Sequence, residues 1–104
     1  MSFDKILEKK GIDVLLIKIT NQSNYGYLDG QEQTETIKAV VLPLKAEEIK
    51  FWGDVGIAKA AIKAFVNVDL ETGWQMEIDG KRYSIRAYEN YQSYKKAILE
   101  AVND

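Results

Sequence analysis

Hydrophobic positions change their period along the chain, and each change marks an element. In Ser2 to Lys10, Phe3, Ile6, Leu7 and Lys10 recur at helical spacing, with Ser2 placed as a cap, Asp4 in the first turn and Gly11 as a stop. So short a helix does not hold in water by itself. Its Phe3, Ile6 and Leu7 stripe must dock, either over the end of the same fold or, as an arm, on a neighbouring subunit. From Asp13 to Thr20 the run DVLLIKIT is rich in β-branched residues, and Leu15, Ile17 and Ile19 fall on one face opposite Lys18 and Thr20, which predicts a strand. Residues 21–34, NQSNYGYLDGQEQT, carry Asn, Gly and Asp-Gly turn signals and read as a long irregular loop, with Tyr25, Tyr27 and Asp29 as candidate contact residues. Glu35 to Leu42 is a second strand, ended by Pro43.

Residues 43–56, PLKAEEIKFWGDVG, interrupt the strand pattern. They offer one helical turn around Ala46 to Lys50, then the aromatic pair Phe51 and Trp52 beside Gly53 and Gly56. Such a pair either anchors a loop on the core or serves as an interface. On the second reading, Trp52→Ala impairs assembly more than folding. Strand alternation resumes at Ile62, with Ile62, Ala64, Val66 and Val68 on one side and Lys63, Phe65, Asn67 and Asp69 on the other. Ala58 to Ala61 leave a helical start open.

The sharpest local signal is WQMEIDGKRYSIRAY, Trp74 to Tyr88. Asp79-Gly80 between alternating runs predicts a two-residue type I′ hairpin. That turn sets Ile78 opposite Lys81, Glu77 opposite Arg82, Met76 opposite Tyr83, Gln75 opposite Ser84 and Trp74 opposite Ile85. Trp74, Met76, Ile78, Tyr83 and Ile85 then share the core side, and Gln75, Glu77, Arg82, Ser84 and Arg86 the wet one, with a Glu–Arg cross-strand pair. The last segment, residues 94–102, fits helix by propensity and strand by alternation. A hairpin loop over Glu89 to Ser93 favours strand. Five or six short strands with a short N-terminal helix and long inter-strand loops predict a mainly β fold, a small antiparallel barrel in one domain spanning residues 1–104.

Composition narrows the chemistry. The chain has 104 residues, no Cys and no His, with 14 Lys and Arg against 16 Asp and Glu. This leaves out imidazole bases, Cys–His pairs, Ser-His-Asp triads and the usual zinc ligands. No phosphate-cradling or EF-hand motif occurs, and Glu47, Glu48 and Asp54 read better as a solvated face than as a metal site. The expectation is a protein that is not an enzyme and uses no cofactor or metal. A net charge of −2 and a pI near 5.2 disfavour phosphate binding as the main task. MSFDKILEKKG lacks the apolar core of a signal peptide, and no apolar run approaches the ~20 residues of a membrane span.

The order of segments resembles a known family. A short helix, a strand, a loop with Tyr-Gly and Asp-Gly, then VVLPLKAEEI at Val40 to Ile49, ETGW at Glu71 to Trp74 and IDGKRYSIR at Ile78 to Arg86 are similar to the head-closure, or head–tail joining, proteins of long-tailed phages and prophages. The resemblance implies a small β-barrel that assembles as a homo-oligomeric ring below the portal, closes the DNA channel after packaging and docks the tail. It implies no catalytic residues. Its partners would be the portal or adaptor ring and tail proteins, with DNA only as the channel's content, in the host cytoplasm during assembly and then in the virion. By position, residues 43–56 match the family's channel-facing loop. That makes Lys45, Glu47, Glu48, Lys50, Phe51, Trp52 and Asp54 interface candidates, and residues 21–34 a contact loop. Two other readings stay open. One is a tail or baseplate adaptor of a phage. The other is a nucleic-acid-binding barrel that stacks bases on Phe65 or Tyr88 beside Lys63, Arg82 and Arg86.

Overall fold

In the computed structural model the backbone is described for residues 3–22, 29–57 and 60–102, and the side chains for 3–19, 32–57 and 62–102. The Asp79-Gly80 turn has φ of 54° and 78°, the two positive values a type I′ turn demands. It joins β4 (Gln75–Ile78) to β5 (Lys81–Asn90) in the predicted register, Gln75 opposite Ser84 through Ile78 opposite Lys81. One step beyond β4, the Ile85 N–H donates to the Trp74 carbonyl at 2.8 Å. Met76, Ile78 and Ile85 are buried inward, with Trp74 and Tyr83 packed against them. Glu77 and Arg82 face each other, but the Arg82 guanidinium lies 3.7 Å from Glu32.

Four further strands complete a closed antiparallel barrel in the order β1-β2-β3-β6-β5-β4. They are β1 (Ile12–Gln22), β2 (Asp29–Pro43), β3 (Ala60–Val66) and β6 (Lys95–Ala101). Between residues 94 and 102 the chain is therefore mostly strand. Its ambiguity has a physical source: Ala97 and Leu99 point into the main core, while Ile98, on the opposite face, is also fully buried, under a second cluster outside the barrel. A strand covered on both faces loses the polar half of its alternation. The register of β5 on β6 slips between Ile85 and Ala87. This bulge at Arg86 resets the faces, so that Tyr88 packs on the main core and Ala87 on the second cluster. In β3, Ala64 and Val66 are buried and Ile62 and Val68 pack beside them, as the alternation predicted. Ala60 and Ala61 are strand, not helix, and residues 58–59 lie outside the described residues.

One expectation changes. The predicted loop over residues 21–34 is largely strand: β1 and β2 pair without a break from Ile12 opposite Ala39 to Gln22 opposite Asp29. Glu32 to Thr36 are all exposed, and with water on both faces the strand has no apolar alternation to announce it. In β1, Val14 and Leu16, in the row that carries Lys18, join the main core cluster, while in the opposite row Ile17 is also fully buried and Leu15 and Ile19 are half-buried. Four consecutive apolar residues supply both rows.

Helix α1 (Phe3–Lys10) ends where the Gly11 N–H donates to the Leu7 carbonyl at 2.8 Å. Phe3 and Leu7 are buried and Ile6 is half-buried. The Phe3 ring stacks on Tyr94 with centroids 5.0 Å apart, and Asp4 accepts a hydrogen bond from Asn67 at 3.1 Å. The stripe is buried by the chain's own barrel, so no neighbour is needed to cover it. No helix among the described residues is long and apolar enough to cross a membrane.

Candidate functional site

The crossover from β2 to β3 contains α2 (Ala46–Asp54), longer than the single turn that the sequence suggested. Two end structures hold it. At the start, the backbone N–H of Lys45 donates to Glu48 Oε1 at 3.0 Å, the carboxylate arm of a capping box. At the end, Gly56 adopts φ of 102°, its N–H donates to the Gly53 carbonyl at 3.1 Å, and the Ile57 N–H donates to the Trp52 carbonyl at 2.7 Å. This is a Schellman closure with its usual apolar contact, since Trp52 and Ile57 pack on the same cluster. A glycine just past a helical run is the ordinary stop signal, and Gly56 occupies that place.

One apolar and one ionic contact fix α2 to the barrel. Trp52 packs with Ile57 and Ala87 over Leu44 and Ile98. Glu48 Oε1 accepts from Lys63 of β3 at 2.8 Å, and Oε2 accepts from Lys96 of β6 at 3.1 Å. These donors, led by Lys63 and the Lys45 N–H, lower the Glu48 carboxyl to a pKa of about 2 against the opposing effect of burial. The side chains of Glu48, Lys63 and Lys96 are each less than one-fifth exposed.

What remains outward mixes apolar and charged side chains. Among the described residues, six large hydrophobic side chains are exposed, and four of them, Leu42, Ile49, Phe51 and Val55, lie in or beside the crossover. A fifth, Tyr91, shares a groove of about 380 Å³ with Phe51, Trp52, Glu47, Glu48, Glu89 and Lys96. Phe51 is 57% exposed and meets Trp52 edge-on, with centroids 5.0 Å apart. The anchoring and contact roles considered for this aromatic pair thus separate, Trp52 turned in and Phe51 turned out. Ile49 and Phe51 sit on opposite flanks, about 160° apart at 100° per residue. Lys45, Glu47, Lys50 and Asp54 are exposed around them. Sequence reasoning passed over Leu42, Ile49, Val55, Glu89 and Tyr91. An apolar residue on both flanks of a nine-residue helix was the available signal, since one barrel surface cannot bury both.

The other candidates fall apart or lie elsewhere. Tyr25 and Tyr27 are outside the described residues, and Asp29 is described only as the backbone residue paired with Gln22. For base stacking, Phe65 and Tyr88 are on opposite sides of the barrel wall: Tyr88 packs on the core, Phe65 against Tyr94. Lys63 is held by Glu48, and Arg86 by Glu100 at 3.0 Å. A cleft of about 790 Å³, lined by Lys18, Glu35, Asp69, Trp74 and Lys95 among others, carries both signs of charge. There Lys95 donates to Asp69 at 2.9 Å and holds its carboxyl below the usual range. No group of three potential metal ligands occurs among the described residues. A scan against protein-family models finds no match, and a search of the curated proteins finds none either.

Proposed function

We propose that this chain is a structural assembly protein of the head–tail connector of a phage or prophage, acting at head closure, with the α2 crossover as its docking surface. The observation that carries this reading is that, of the six large hydrophobic side chains exposed among the described residues, Ile49, Phe51 and Val55 lie on the crossover and Leu42 just before it, at the end of β2. Exposed apolar side chains concentrated in one stretch of chain, on both flanks of a short helix, support an interaction site over a solvated face. Charge supports the same reading, because a ring around DNA must let it slide, and an acidic barrel does not neutralise phosphates. Ring closure needs a heterologous contact, one patch meeting a different patch on the next copy. A helix standing off the barrel wall can supply one half of it. The segment resembling the family's channel loop is an anchored helix, so its part in closure is to dock and position.

The test uses DNA-filled heads that carry a portal and lack this protein. Added protein is expected to bind them and retain their DNA, and the double variant Phe51→Ala/Val55→Ala to bind about tenfold more weakly, a loss of about 1.4 kcal/mol from an aromatic anchor and its aliphatic neighbour together. A folded protein that neither binds nor retains DNA would overturn head closure. Binding to isolated tails instead would assign the adaptor role.

A further inference from the structure

We propose that the groove between α2 and the turn after β5 receives an arginine side chain presented by a partner protein. The inference rests on reading the α2 crossover as a docking surface, and it names the chemistry of what docks. Three rings, Phe51, Trp52 and Tyr91, line the groove together with three carboxylates, Glu47, Glu48 and Glu89. Lys96 is the one cation in that lining. Glu48 is already occupied by Lys63 and Lys96, at 2.8 and 3.1 Å. Glu89 approaches Lys96 only at 4.0 Å, beyond hydrogen-bonding distance, and Glu47 makes no ion pair among the described residues. Counting Lys63 behind it, the groove still holds three carboxylates against two ammonium groups.

Aromatic faces and unneutralised carboxylates together select a cation. Arginine fits better than lysine because its planar, weakly hydrated guanidinium can stack on a ring while donating to a carboxylate in a fork. A space of about 380 Å³ admits one such side chain with its stem. Phe51 and Tyr91 are 57% and 45% exposed, so the walls are wet and one side chain alone binds weakly. Firm docking therefore draws on contacts flanking the arginine, which a partner protein supplies and a free small molecule does not.

The two tryptophans make the test specific, since Trp52 lines this groove and Trp74 the cleft at the barrel's end. The indole N–H signals of both are followed by NMR while N-acetylarginine amide is titrated in, with the citrulline analogue as the neutral isostere. The expected result is a saturable shift of Trp52, with millimolar affinity, no shift of Trp74 and no saturation by citrulline. Phe51→Ala, at an exposed position, should weaken arginine about threefold. Glu47→Gln/Glu89→Gln should abolish saturation, with the melting temperature confirming that each variant is folded. An equal response to citrulline, movement of Trp74 together with Trp52, or no saturation would overturn the proposal. Heads that bind a protein whose Trp52 ignores arginine would leave the connector reading standing without this one. Saturable arginine binding by a protein that heads ignore would keep the groove and remove the connector.

Discussion

Glu48 joins three elements through one carboxylate. Its oxygens hold Lys63 on β3, Lys96 on β6 and the backbone N–H of Lys45, the residue that caps α2. Because its folded pKa, about 2, lies below the ordinary 4.5, its contribution is complete above pH 4.5 and disappears as the pH falls toward 2. Discounted for partial exposure, the contribution is on the order of 2 kcal/mol. Urea unfolding at pH 7 should show Glu48→Gln destabilised by about that amount, and at pH 2 the gap to the parent should close. A second residue-scale prediction concerns Gly80. Its φ is 78°, and a Cβ there would meet nothing within 4 Å, so only backbone strain opposes a side chain. Gly80→Ala should lower stability by about 1 kcal/mol in the same assay. This turn was legible residue by residue, because both its conformation and its register follow from local chemistry. The Glu48 cluster was not, since its members are 15 and 48 positions apart in the chain.

At the scale of elements, α2 is held by one ring, Trp52, and exposes another, Phe51. Trp52 packs over Leu44 and Ile98, so Trp52→Ala should cost about 2 kcal/mol and speed amide exchange across α2. Phe51→Ala should leave the melting temperature within about 2 °C, as exposed substitutions usually do. Packing therefore moves the clean test of docking from Trp52, where sequence reasoning had put it, to Phe51. Helix α2 runs past the one turn that the sequence suggests around Ala46 to Lys50, through Phe51, Trp52 and Gly53 to Asp54. Gly53 lies inside the helix and Gly56 closes it, a distinction set by the Ile57 and Trp52 contact with Leu44 and Ile98.

The whole molecule is more extended than a chain of its size requires. Its radius of gyration is 14.3 Å, against about 13 Å for a typical domain of this length. Its accessible surface is 7184 Å², against about 5,900 Å² for a compact protein of its mass. The β1–β2 pairing runs past its neighbours on both sides: β4 joins β1 only at Leu15 to Ile17, and β3 joins β2 only at Val40 to Pro43. Replacing residues 20–31 by Asn-Gly, between the paired Ile19 and Glu32, should keep the melting temperature within about 5 °C, the equivalent of about 1 kcal/mol. Small-angle scattering should then report a smaller radius. The amino-acid sequence by itself determined the barrel class, the Asp79-Gly80 hairpin and the strand nature of β3, because alternation and turn conformation are properties of neighbouring residues. Only the tertiary structure decided the face of β1, the reach of the long hairpin, the burial of Ile98 and the groove that Phe51 and Tyr91 both line. Each of these depends on which distant segment lies against it, and a linear pattern does not carry that information.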